Sequence, residues 1–385
     1  VYDFTKTDAQ KRMLAELNRL IPSFKKREHL LDEPNAYPKE NINELIHTGY
    51  SKLTLPEEFG GQGKGLYELV LGQEAIAKGS GATALSIGWH TGTLLEFSER
   101  RHWKKEAADF ILEKISNGAI VNTAATEKGA GSPARGALPK TTAVKTADGF
   151  EITGEKSYTS LAPMLDYIFV TAVIEGTEQV ATFIIPADAT GVSIRESWDS
   201  IGMHGTASHD LVLEKVEVPD MYMLKDGKEA GAKPPMSWLL HIPACYIGIA
   251  AAALEDASAF ASSYEPASLG EPIGSLPNIQ EKLGDLQVKL LSARQVMYHT
   301  AEAYERADNK EDVRALLSSS KVHVTNAAID IVEKAMRIVG PQSMSAKSPM
   351  QRYYRDVRMG LHNPPMEDMV KGQFGKQMVD ERMQD

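Results

Sequence analysis

The chain has 385 residues, 42% of them hydrophobic and 24% charged, a balance that fits a soluble globular protein of two or three domains. Its formal net charge of −10 argues against nucleic acid as a partner, because phosphate binding needs a basic face. Cys245 is the only cysteine, which excludes a disulfide within the chain and fits a cytoplasmic location. No basic-then-apolar leader is visible, no apolar run reaches the length of a membrane span, and no Cys/His cluster has metal-ligand spacing.

Three blocks follow in chain order. Residues 1–118 read as a helical domain: Met13, Leu14, Leu17 and Leu20 recur at helical intervals, with Asp8 as the expected N-cap, and "LPEEFGGQGKG" is glycine-rich punctuation. Residues 119–222 change character. Short Thr/Val/Ile-rich runs alternate with Asp-Gly and Thr-Gly turns, which predicts a central antiparallel β-barrel or sandwich domain. Residues 232–385 return to long amphipathic helices suited to an antiparallel four-helix bundle. The fold class is therefore α+β and multidomain. The small residues of "GIAAAALEDASAFASS" predict close helix packing and a homo-oligomer.

The stretch "TAATEKGAGSPARG", Thr123 to Gly136, carries the most chemistry. A glycine-rich loop with small hydroxyl residues exposes backbone N–H groups to an anion and admits a planar ring. It equally suits a tight entry into the β-domain, and it has neither GxGxxG nor P-loop spacing.

The same loop resembles the "TEPGAGSD" signature of the acyl-CoA dehydrogenase family. "LPEEFGGQG" at 55–63 is similar to that family's "PEEYGGLG", and "ITGEKSYTSLAPMLDYIFVTA" at 152–172 to its "LNGxKxWITNxxxADxxxV". "SIGMHGTASHDLVLEKVEVP" at 200–219 and "RYYRDVR" at 352–358 match two further segments in order and spacing. The resemblance implies an acyl-CoA dehydrogenase fold with FAD, FMN being the alternative, between the β-domain and the bundle. Thr123, Ala125 and Thr126 would line the flavin, with Gly131 and Ser132 where flavin and pantetheine meet. Tyr158 takes the place of a tryptophan packed on the isoalloxazine, and Ser160 that of a threonine reaching flavin N5. Arg337, before Gly340, stands where a glutamine near the FAD pyrophosphate is common; a helix C-terminal cation is the plain alternative. The resemblance also implies a homotetramer, an acyl-CoA or other small hydrophobic substrate, and an electron acceptor or flavin reductase as partner.

One expected residue is missing. Counting on from Arg355 and Asp356 places Pro364 at the family's catalytic glutamate, and the second known position falls on Trp238; neither can take a proton. The arginine near the acyl thioester corresponds to Leu239, and "YEPASLGEPIG" offers no pyrophosphate arginine. Two readings stay open. In the leading one the chain oxidises an acyl-CoA thioester, and Glu367 is the first carboxylate to test as base. In the other, "GWHTG", "SYTSLA" and "LHNP" resemble the dibenzothiophene monooxygenase branch, so that His90, Ser160 and His362 would surround an oxygenated flavin. A relative that binds flavin or acyl-CoA without turnover is a third.

Overall fold

The computed structural model describes residues 2–129, 138–226 and 240–384. Helix α1 (Asp8–Arg27) starts at Thr7, one residue before the expected cap. The Thr7 hydroxyl accepts from Gln10 N–H while the Gln10 side chain reaches back to the cap backbone. Asp8 instead supplies negative charge to the first turn. Leu17 and Phe24 are buried against α3 (Leu66–Gly79). Ser80 ends α3 and caps α4 (Gly81–Arg100), its hydroxyl accepting from Thr83 N–H. Both helices are buried nearly all round, so they form the centre of the N-terminal part rather than its surface. Shorter helices α2 (Lys39–His47) and α5 (Lys105–Ser116) flank them. The glycine-rich segment folds on itself, and a Cβ on Gly61 would lie 1.9 Å from the Leu55 carbonyl oxygen.

Eight strands make one sheet: β1 (Val121–Ala124), β2 (Thr142–Lys145), β3 (Gly149–Thr159), β4 (Tyr167–Ile174), β5 (Val180–Pro186), β6 (Val192–Arg195), β7 (His209–Pro219) and β8 (Met223–Lys225). Their order is β6-β7-β3-β2-β4-β5-β8, with β1 also on β4. Most pairs are antiparallel, as the turn-rich pattern predicts, but β1 and β2 both run parallel to β4, at opposite ends of it. Alternation within a strand does not reveal its partner's direction, so this mixture needed the structure. Trp103, edge-on to Phe169 at 5.3 Å and stacked with Phe97 at 4.4 Å, seals α4 and α5 to the sheet.

Within the sheet a charged pair is fully enclosed. Lys156 Nζ donates to Glu127 Oε1 at 2.6 Å and to Thr171 Oγ1 at 3.2 Å. Burial pushes the lysine pKa down. For Glu127, burial acts upward and is outweighed by hydrogen bonds from Lys156 and Thr141, leaving its pKa low.

The C-terminal part contains α6 (His241–Ser263), α7 (Pro277–Arg306), α8 (Arg314–Val339), α9 (Pro349–Arg358) and α10 (Glu367–Gln384). Contrary to the expectation from the sequence, helix α6 is long and apolar enough to cross a membrane. Its residues are mostly buried, and its alanine-rich face packs on α3 and α8, so it is the core helix on which the bundle closes.

The three parts meet at one carboxylate. Asp32, in the turn after α1, receives Arg352 Nε at 3.0 Å and Arg355 Nη2 at 2.9 Å from α9. Arg355 Nη1 also donates to Ile201 O at 2.9 Å, and Asp356 Oδ1 accepts Met203 N–H at 2.6 Å, which fastens α9 to the loop before β7. Gly202 makes this approach possible, because a Cβ there would lie 2.5 Å from the Arg355 carbonyl oxygen. Burial pushes Asp356 up to about 6 and Glu28, beside the same junction, up to about 8.

Two outcomes follow. Lys156→Met strands a buried carboxylate and should cost about 3–5 kcal/mol in urea unfolding, while Lys156→Met with Glu127→Leu should recover most of that; equal loss in both variants would show that the pair is not the cause. Glu28 is raised from 4.5 in the unfolded chain to about 8, so its stabilising protonated form is complete at low pH and is lost as pH rises through that window. The stability of Glu28→Gln relative to the parent should therefore increase by about 1.4 kcal/mol per pH unit across that window, measured by denaturant melts.

Candidate functional site

The end of β3 breaks its pairing with β7 between Lys156 and Thr159. Tyr158 sits in that break with φ +60°, a left-handed backbone uncommon for an aromatic residue, and its ring is 60% exposed and edge-on to Trp198. The distortion turns Tyr158 outward and the next residues inward. Ser160 is buried, with its hydroxyl 2.9 Å from Ser208 Oγ, which is 2.9 Å from Thr206 Oγ1, which donates to Met203 O. Each hydroxyl has one proton, so Thr206 must accept from Ser208 and Ser208 from Ser160. In this direction Ser160 presents lone pairs outward; turning all three hydroxyls would present its proton instead.

The first strand supports this corner. Asn122 Nδ2 donates to Ser160 O at 3.1 Å, and Ser157 N–H donates to Thr126 O at 2.8 Å. Thr123 and Thr126 are exposed and Ala125 is half-buried. Thr123, Ala125, Thr126, Tyr158 and Ser160 are thus gathered at one end of β1 and β3. Gly131, Ser132, Trp238 and Leu239 lie outside the described residues.

His90 is near this corner but faces away from it chemically. Its Nδ1 accepts Val121 N–H at 3.0 Å, which places the ring proton on Nε2 and makes that nitrogen the donor to Ser51 O at 2.9 Å. Burial pushes its pKa down to about 4. Both nitrogens are committed to backbone, so His90 joins α4 to β1 and to the turn before α3.

The remaining candidates are on the bundle. Helix α9 runs through the turn Met359–Leu361 into His362, whose side chain is exposed. The loop is held from beneath. Lys321 Nζ, buried on α8, donates to Gly360 O at 2.8 Å, and the Tyr246 hydroxyl donates to Asn363 Oδ1. Burial lowers Lys321 to about 8. Glu367 is engaged elsewhere: hydrogen bonds from Lys371 and then Asn326 keep its pKa low and hold it on the outer side of α8 and α10. Arg337 is exposed in the last turn of α8 and pairs with Glu333 at 2.6 Å, while Gly340 caps that helix with φ +68°. A cation in the last turn of a helix is favoured by the helix dipole.

The structure therefore unites the sheet residues, while Glu367 and Arg337 pair with residues of the bundle. It also adds residues that pattern reading passed over. Thr206 and Ser208 complete the hydroxyl relay, and their two-residue spacing in "GTASHD" was the available signal. Tyr246 and Lys321 hold the His362 loop, and both sit in apolar helix faces where nothing local marks them.

Comparison with known proteins gives the family. Three family models match along the chain: the acyl-CoA dehydrogenase N-terminal domain at residues 7–118, its middle domain at 122–216 and its C-terminal domain at 240–363. YdbM of Bacillus subtilis, a candidate acyl-CoA dehydrogenase, is 41% identical over 95% of this chain and 96% of its own. A 3-(aryl)acrylate reductase of Clostridium sporogenes is 28% identical over 86% of this chain and 87% of its own. Among solved structures, butyryl-CoA dehydrogenase of Megasphaera elsdenii superposes with TM-score 0.84 at 22% identity, covering 98% of this chain and 100% of its own. TdsC of Paenibacillus sp. A11-2, bound to FMN and indole, superposes with TM-score 0.85 at 22% identity, covering 96% and 97%. With all three domain models matched in order and a 41% identical relative over nearly the full length, this chain belongs to the acyl-CoA dehydrogenase family of flavoprotein oxidoreductases.

Proposed function

We propose that this chain uses FAD to oxidise or reduce the α,β-bond of an acyl-CoA-type thioester. The observation that carries the reading is the corner formed by Tyr158 and Ser160. An exposed aromatic ring next to a buried hydroxyl relay fits a planar cofactor with a polar edge. The hydroxyls of Thr123 and Thr126, both exposed beside it, fit the same cofactor. When bound, FAD supplies hydride acceptance and donation. Tyr158 would cover the ring and exclude water. Ser160 would meet the polar edge, and the relay through Ser208 and Thr206 would let its hydroxyl accept or donate.

Proton exchange at the substrate α-carbon needs a group on the bundle side. Glu367, held by Lys371 and Asn326, is poorly placed for it. Of the titratable side chains two residues to either side of Pro364 and Pro365, His362 is the exposed one, and its loop is tied through Gly360 O and the Asn363 side chain. We therefore assign His362 the proton-transfer role in place of the usual glutamate. A reduced-flavin monooxygenase is the second reading, favoured by the likeness to TdsC and by an exposed histidine at this place. The commitment of both His90 nitrogens to backbone weighs against it. Self-association as a tetramer is part of the same reading, by family.

Anaerobic addition of acyl-CoAs of several lengths, aryl-substituted ones included, should bleach the flavin absorbance. His362→Ala should abolish the bleaching and Glu367→Gln should preserve it. The reverse pattern would return the role to Glu367. No bleaching, with oxygen uptake by the reduced-flavin protein, would establish the monooxygenase, and silence in both assays a non-catalytic relative. Ser160→Ala should weaken flavin binding by about fivefold, the equivalent of one hydrogen bond of about 1 kcal/mol. Ser208→Ala should weaken it less, in the same direction; unchanged affinity in both would remove the relay from the site.

A further inference from the structure

Strain is concentrated at the corner formed by Tyr158 and Ser160. Four residues other than glycine have positive φ around it: Tyr158 at +60°, Leu161 at +62°, Met203 at +55° and Ala207 at +40°. Leu161 N–H donates to Thr206 O at 2.7 Å, which ties the two strained segments together. Such backbone persists only where surrounding bonds over-determine it.

The segment between β6 and β7, residues 196–208, supplies those bonds, and His209 anchors its start. His209 Nδ1 accepts Ser197 N–H and Trp198 N–H, both at 3.1 Å, so the proton of the neutral ring is on Nε2. Asp210 N–H donates to Ser197 Oγ at 3.0 Å, which lays the same stretch against the first turns of β7. From this anchor the Trp198 indole N–H reaches Met203 O at 3.1 Å, the oxygen that also takes the Thr206 hydroxyl at 2.9 Å. The Trp198 ring is edge-on to Tyr158, with centroids 6.2 Å apart. One imidazole lone pair therefore governs both halves of the corner: the ring against which Tyr158 rests and the carbonyl at which the hydroxyl relay ends.

Stability alone does not account for a histidine at this place. It is 1% exposed, and its Nε2–H has no hydrogen-bond partner among the described residues. Thr159, its cross-strand partner, is equally buried, and its Oγ1 is likewise unpaired among them. A buried donor without an acceptor carries a penalty that an apolar side chain avoids. Nδ1 is what the position uses. Burial holds the His209 pKa below the ordinary histidine value, against Glu196 and Asp210, so Nδ1 keeps its lone pair at neutral pH.

We propose that His209 is a positioning residue for the flavin, acting through Trp198 to set the Tyr158 ring and the Ser160 relay. The inference rests on the reading of this corner as the flavin site. It requires an acceptor at the Nδ1 position and nothing from Nε2. Asparagine can place its Oδ1 where Nδ1 stands, whereas glutamine reaches the Nε2 position and leaves Ser197 and Trp198 N–H unpaired.

The test is FAD titration of the full-length protein, followed by flavin fluorescence, together with the visible circular dichroism of the bound flavin. His209→Gln should weaken FAD binding by about tenfold and alter the dichroism, through the two lost N–H bonds. His209→Asn should stay within about twofold of the parent and keep its dichroism. A residue that only filled space would give the opposite order, because glutamine is nearer to histidine in volume. Equal effects of the two variants, or the opposite order, would overturn the proposal. Trp198→Phe keeps an aromatic ring and removes the indole N–H, so it reports even where His209→Gln fails to fold: altered dichroism supports the proposal, and parent-like affinity and dichroism overturn it. Unchanged FAD affinity in both Tyr158→Ala and Ser160→Ala would instead refute the flavin reading of the corner itself.

Discussion

Asp32 is the constraint on which the arrangement depends. Its carboxylate holds Arg352 and Arg355 of α9, and the same helix reaches the β-domain through Arg355 to Ile201 O and Asp356 to Met203 N–H. One carboxylate from the N-terminal part thus sets the angle at which the bundle meets the sheet. Burial acts to raise the Asp32 pKa, and the hydrogen bonds from the two arginines outweigh it, so the group stays ionised. Two guanidiniums on one carboxylate give directional, charge-assisted bonds, which position as well as bind.

Both sides of the candidate site hang from this junction. Met203 N–H is anchored by Asp356 and Met203 O receives Thr206, so the relay that ends at Ser160 begins at α9. Six residues after Asp356 the chain reaches His362. A shift of α9 would therefore move the relay and the His362 loop together.

The bundle-side loop that carries His362 is tied at both ends. Pro364 and Pro365 restrict the backbone, and the ends are tied by Lys321 to Gly360 O and by Tyr246 to Asn363. Lys321 is a buried cation whose bond is to a carbonyl rather than to a carboxylate, which explains its lowered pKa.

Local pattern was enough for the order of helical, β-rich and helical parts and for the start of α1 to within a residue, and it singled out the segment in which Tyr158 and Ser160 meet at the break of β3. Hydrophobic periodicity and turn chemistry act over a few residues, so a single strand of sequence carries them. The tertiary structure alone decided which polar groups remain free. His90 and Glu367 look alike in sequence as chemically able residues, yet one is spent on the backbone of Ser51 and Val121 and the other on Asn326 and Lys371. Asp32 gives no sign of its task, since Arg352 is 320 residues away. A hydrogen-bonding group has few partners to give, and their allocation depends on which distant segments the packed core brings within about 3 Å of it.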